Sequence, residues 1–146
     1  KSRLKKFYDN NKLIIFSTIF IFIIGIFSYS FYLKTKEDKK KLLSENYIEA
    51  IILLESNKKN DARHILKTIV MSNDKIYSSL SLFLLLNENL IEDKNELNNL
   101  FNHLLENNNF DKEIENLIIY KRALFQSNFV DESVLLETLK PLINSK

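Results

Sequence analysis

The stretch LIIFSTIFIFIIGIFSYSFYL, residues 13–33, holds twenty-one consecutive positions without a charge and is bracketed by Lys12 and Lys34. As a helix rising about 1.5 Å per residue it reaches about 31 Å, enough to cross a bilayer core of about 30 Å. It predicts a transmembrane helix. The competing reading is a cleaved signal peptide, whose apolar region runs about 7–15 residues and ends in a small-residue cleavage site. Here the run is longer, and Ser28-Tyr29-Ser30 is a poor cleavage signal that precedes yet more apolar residues. The sequence therefore favours a retained anchor, with membrane lipid around 13–33. Tyr29 and Tyr32 near one end, and Tyr8 before the other, suit an interfacial aromatic belt.

Working outward, the charge divides sharply. Residues 1–41 carry ten Lys/Arg against three Asp/Glu, a net +7, whereas residues 42–146 carry eleven against sixteen, a net −5, giving +2 over the chain. A basic membrane-proximal segment is thus joined to an acidic body. An acidic body argues against nucleic acid, whose binding rests on a basic footprint. The basic flanks are explained by anionic lipid head groups. Lys1, Arg3, Lys5, Lys6 and Lys12 precede the span, and Lys34, Lys36, Lys39, Lys40 and Lys41 follow it, so positive-inside counting gives no orientation. The expected domains are a basic tail (1–12), the span (13–33), a juxtamembrane helical continuation (34–44) and a helical domain (45–146).

The fold class expected of the body is all-α. The only Gly, Gly25, lies in the span and the only Pro, Pro141, lies near the C-terminus, whereas a β-rich domain needs several turn-forming residues. Tyr47, Ile48, Ile51 and Leu54 follow a helical stripe, as do Ala62, Ile65, Leu66, Ile69 and Leu97, Leu100, Phe101, Leu104. Asn60 or Asp61 is the expected N-cap after the first break; Ser72-Asn73-Asp74, then Asp93, Asp111 and Asp131, precede later helices. The predicted helices are 35–56, 61–71, 75–89, 94–107, 111–127 and 131–143, joined by short connections into antiparallel hairpins. No Gly or Pro separates Phe31 from Glu55, so the span should run uninterrupted into the first of them. Pro141 should fall in the last turn. Residues Ile76 to Leu86 are apolar nearly all round but number only eleven and include three serines, which predicts a buried core helix and not a second span.

Sliding the body by 35 residues aligns apolar triplets: Ile65/Leu100/Leu135, Leu66/Phe101/Leu136, Ile69/Leu104/Leu139, Tyr47/Leu82/Leu117, Ile48/Phe83/Ile118 and Ala50/Leu85/Tyr120. A helical hairpin repeating near this length points to about three degenerate tetratricopeptide-like repeats, stacked so that each buries its neighbour's apolar face. A plain helical bundle is the alternative. Ala50 and Ala62 occupy the small positions where helices cross in the first hairpin; later hairpins carry Leu85, Tyr120, Leu97 and Glu132 there.

The order of parts, through LKKFYDNNKLIIF, YLKTKEDKKKLLSENYIEAIILLESNKKNDARHILKTIV and IYSSLSLFLLLNENLIEDKNELNNLFNHLL, resembles the YfgM-like family of bacterial inner-membrane proteins over nearly the whole chain. The resemblance implies a single-pass ancillary subunit of the Sec translocon, N-terminus in the cytoplasm and repeats in the periplasm, linking translocating chains to periplasmic chaperones. An accessory or assembly subunit of another membrane complex is the alternative, for which Ser17, Ser28, Ser30 and Gly25 give the span small residues for helix packing.

Chemistry has few candidates. His64 and His103 fall on different hairpins without metal-ligand spacing, and there is no cysteine, so no metal site, thiolate nucleophile or disulfide is expected. Glu88, Glu92, Asp93 and Glu96 cluster around one helix start, where acids favour the helix dipole. The body has no Gly to form a phosphate loop or nucleophile elbow. No catalytic residue, cofactor or small-molecule substrate is expected, and the chain reads as a binding protein and not an enzyme.

Overall fold

The computed structural model describes the backbone of residues 3–143 and the side chains of residues 11–143. The described residues form six helices and no strand: α1 (Arg3–Glu55), α2 (Lys59–Val70), α3 (Tyr77–Asn87), α4 (Lys94–Asn107), α5 (Lys112–Gln126) and α6 (Glu132–Ile143). Two compact units result, residues 1–41 and residues 42–146. The second begins inside the segment expected to be juxtamembrane, because Leu43 is already buried.

In the first unit, α1 includes residues of the expected N-terminal tail. Its one departure from helical geometry is Asn11, at φ −117° and ψ 15°, just before Lys12. Backbone angles then stay helical to Glu55, as the lack of a helix breaker predicts.

The second unit's core uses the α2 and α4 stripes read from the sequence, whereas the stripe expected near the end of α1 is not fully buried. There Ile48 is exposed, Tyr47, Ile51 and Leu54 are half-buried, and Leu43 and Ala50 face the core instead. Ala50 from α1, Ala62, Leu66 and Val70 from α2, Leu82 and Leu85 from α3, Leu97, Leu100, Phe101 and Leu104 from α4, and Ile118 from α5 pack as one buried cluster. Helix α3 is the core helix expected, with Ser78, Ser79, Ser81, Leu82 and Leu85 all buried. Its eleven residues reach about 16 Å, half of a bilayer core. The densest helix–helix approaches are α2 with α3 and α5 with α6. The three serines explain the first: they are small, and the Ser78 hydroxyl reaches the neighbouring helix, donating to the Ile69 carbonyl at 2.9 Å.

A body without glycine still has to end its helices. Asn57, Asn73 and Asn89 do so, each at positive φ (58°, 59° and 48°). Asparagine tolerates this left-handed conformation better than other non-glycine residues. After α1 the Lys58 amide donates to the Leu53 carbonyl (2.8 Å) and the Asn57 amide to the Leu54 carbonyl (3.0 Å), a Schellman ending. After α3 the Leu90 and Asn89 amides repeat it on Leu85 and Leu86, at 3.0 and 3.2 Å. After α2 the long bond is interrupted: the Asp74 amide donates to Ser78 Oγ (3.1 Å), and that hydroxyl donates onward to the Ile69 carbonyl. One buried serine therefore closes the end of α2 and ties α3 to it.

Helix starts agree in part with expectation. Asp93 Oδ1 accepts from the Asn95 amide at 2.8 Å, and Asp74 Oδ1 accepts from the Ile76 and Tyr77 amides at 3.0 and 2.9 Å. Neither Asn60 nor Asp61 caps α2, which starts earlier, at Lys59, and has no side-chain cap at Lys58. Asp61 instead sits in the first turn, where a negative charge favours the helix dipole. Asp111 holds the cap position of α5 without a side-chain cap bond. Pro141 lies in the last turn of α6 as predicted.

Burial fades toward the C-terminal hairpin. Among the aligned triplets, Leu66 and Phe101 are buried but Leu136 is exposed, and Leu82 and Leu85 are buried whereas Leu117 and Tyr120 are 45% and 50% exposed. On α5 the inward face is carried by Ile118, Ile119, Ala123 and Gln126, and α6 has no fully buried residue.

Candidate functional site

Two features of the chain can act on something outside it: the apolar segment of α1 and a polar cleft in the helical body. The first follows from residues 13–33. Asn11–Glu55 contains a stretch long and apolar enough to cross a membrane, and none of that stretch is buried. Leu13 is 83% exposed, Phe27 72% and Phe20 65%, with apolar side chains on every side of the helix. A core helix of a soluble domain would be covered; one apolar all round and uncovered is a candidate membrane span. Thr18 and Thr35 do not disturb it, since each hydroxyl donates to the carbonyl four residues back, Ile14 and Phe31, at 2.8 and 3.0 Å. Gly25 has no atom within 4 Å of where a Cβ would stand.

The second feature is a cleft of about 390 Å³ formed by α4, α5 and α6. Asn98 on α4 is its pivot. Asn98 Oδ1 accepts from Arg122 Nε and from Gln126 Nε2, both at 3.0 Å and both from α5. Gln126 is 2% exposed, and its Oε1 accepts from Thr138 Oγ1 on α6 at 2.8 Å. Each member holds another, so buried polar atoms are satisfied and the three helices are tied together. Leu105, Ile119, Val134 and Pro141 supply apolar wall, and Glu137 lines the cleft as an exposed acid.

Arg122 is the charged group of this network. Burial lowers its guanidinium from the ordinary value, and the charge of Glu106 works in the opposite direction. Arginine remains cationic at neutral pH even so. Behind the network Phe101 stacks on Phe125, which meets Phe129 edge-on at 4.8 Å, and Lys94 Nζ lies 4.5 Å from the Phe129 ring centroid. This aromatic column fixes α5 against α4, and with it Arg122 and Gln126.

The residues singled out from sequence have structural places. His103 joins α4 to the turn after α2: its Nε2 is 2.9 Å from Asn73 Oδ1, and its Nδ1 is 3.2 Å from Asn107 Nδ2. His64 is exposed on α2. The four acids do not converge: Asp93 caps α4, Glu96 pairs with Lys67 of α2, and Glu88 and Glu92 are exposed. Among the described residues no group of three or more His, Cys, Asp or Glu could hold a metal ion. Sequence reading missed Asn98, Arg122, Gln126 and Thr138. Asn98 and Gln126 beside apolar stripes were the available signal.

Compared with protein families, with curated proteins and with solved structures, the chain matches none.

Proposed function

We propose that the chain is a membrane-anchored protein–protein interaction module, an ancillary subunit of the Sec translocon that links translocating chains to periplasmic chaperones. Its N-terminus is cytoplasmic and its helical body, a degenerate tetratricopeptide-like array, is periplasmic. The observation that carries the reading is the apolar window of α1, wholly uncovered by protein, on a chain whose other unit is an acidic, all-helical body. The anchor serves binding by removing most translational freedom and raising the effective concentration of the body near membrane partners. The translocon as partner rests on the resemblance of the chain's order of parts to the YfgM-like family.

Cross-linking of the full chain in native bacterial membranes tests this. The expected product contains translocon components. Good recovery of other neighbours without any translocon component overturns the translocon assignment. Gly25, with open space around it, favours a second reading in which α1 packs against another helix of some other membrane complex. Exchanging residues 13–33 for an unrelated apolar anchor separates the two: function survives if the span is a tether, and is lost if the span makes specific contacts.

A further inference from the structure

The helical body holds Arg122 partly out of water, hydrogen-bonded to a neutral amide and, among the described residues, in an ion pair with no carboxylate. Arg122 is half-buried, and its one hydrogen bond is from Nε to the side-chain carbonyl of Asn98. Among the described residues no carboxylate is paired with it: Glu106 acts on it only through its field, and Glu137 lines the same cleft without bonding to it. A cation drawn from water normally has a counter-ion. Here both Nη groups, with four N–H donors between them, are without a hydrogen-bond partner among the described residues, while Nε is locked in place.

We propose that the cleft between α4, α5 and α6 binds the C-terminal residue of a peptide chain, its carboxylate on the Arg122 guanidinium and its apolar side chain against Leu105, Ile119 and Val134. A guanidinium presents parallel donors that match a carboxylate two-to-two. The Asn98–Gln126–Thr138 chain of hydrogen bonds fixes that fork before the ligand arrives, which lowers the entropy lost on binding. A cleft of about 390 Å³ accommodates one apolar residue with its carboxylate. Glu137 argues for a peptide over a free fatty-type acid. Its carboxylate repels the carboxylate of either ligand, but only a peptide's last residue also brings a backbone N–H from which it can accept a hydrogen bond. Exposed Glu137 and Pro141 mark the edge by which the rest of a bound chain would leave.

This site rests on the reading of the body as a protein-binding module. The test uses the full chain in lipid nanodiscs and fluorescence anisotropy of a fluorescein-labelled pentapeptide ending in leucine with a free carboxylate. Saturable binding is expected, with the C-terminal amide of the same peptide weaker by about tenfold or more, the usual effect of losing charge-assisted hydrogen bonds. Arg122→Gln should abolish the difference between acid and amide while leaving the helical circular dichroism intact. Should that variant fail to fold, the acid–amide comparison on the unaltered protein decides alone. As competitor, 4-methylpentanoate should be at least about tenfold weaker than the unlabelled peptide acid, lacking the N–H for Glu137. Equal binding of acid and amide, or no saturable binding of the acid at millimolar protein, overturns the site. Displacement by 4-methylpentanoate as effective as by the peptide assigns the cleft to small acids and overturns the peptide. If peptide binding fails while cross-links to translocon components persist, the site falls and the interaction module stands.

Discussion

Ser78 and Ser81 lie about one turn apart on α3, both fully buried, and the same chemistry has opposite consequences at the two positions. Ser78 Oγ stands between the Asp74 amide and the Ile69 carbonyl, so its loss strands the Asp74 amide, while the Ile69 carbonyl keeps the Ser72 amide at 3.0 Å. Ser81 Oγ has no hydrogen-bond partner among the described residues. Leaving buried polar groups unpaired costs about 1–3 kcal/mol, whereas removing an already unpaired hydroxyl costs nothing. Ser78→Ala is therefore expected to destabilise the body by about 1–3 kcal/mol, and Ser81→Ala to be neutral or stabilising by up to about 1 kcal/mol. Urea unfolding of each variant in the same detergent checks the contrast. A second residue-scale effect concerns pH. Burial raises the Tyr47 phenol above its ordinary value of 10.0, so the folded state holds the proton longer than the unfolded chain does. Its stabilising contribution is present below pH 10.0 and is lost as pH rises through the raised folded value. Tyr47→Phe should flatten the fall of stability above that pH, measured as thermal midpoint against pH. An unchanged slope would remove Tyr47 as its source.

Among the elements, the ends of α1, α2 and α3 each depend on an asparagine in the left-handed region. Replacing Asn57 or Asn89 by Ala keeps the Cβ but removes the short polar side chain that eases the left-handed conformation, exposing up to about 1–2 kcal/mol of its cost, while Gly, with no Cβ, carries no such cost. Asn89→Ala should accordingly lower the thermal midpoint by several degrees and Asn89→Gly should not; equal effects would mean the side chain, and not the backbone angle, matters. Asn73 differs, because its Oδ1 also engages His103, so there Gly should destabilise as well. The helices themselves were legible in the sequence. Apolar stripes recurring at helical spacing located α2 to α6 to within a few residues, and the eleven-residue apolar run correctly indicated a core helix in α3. Which helices approach most closely was not legible, because the serines that let α3 meet α2 look like polar interruptions in one dimension. The cleft was invisible for a related reason. Asn98, Arg122, Gln126 and Thr138 come from three helices, and bonds spanning 12 to 28 residues leave no local period. The exposed Leu117, Tyr120 and Leu136 follow the 35-residue alignment in sequence while departing from it in burial. Apolar matching records composition at a position, not the rotation of the helix that carries it.

At the level of the whole molecule the account rests on the division between an uncovered apolar helix segment and an acidic helical body. The absence of cysteine from all 146 residues makes this directly testable, since each introduced thiol is the only one. Three single variants of the full chain, Asn10→Cys, Gly25→Cys and Asn60→Cys, place a thiol before, within and after the apolar run. Gly25 has open space for the added side chain, so that substitution does not disturb packing within the chain. Labelling with a membrane-impermeant maleimide, in spheroplasts and after permeabilisation, is the most direct measurement. The expected result is that position 60 labels in intact spheroplasts, position 10 labels only once the membrane is opened, and position 25 resists the aqueous reagent in both. Labelling of positions 10 and 60 from the same side, or ready labelling of position 25, would contradict a single-span anchor.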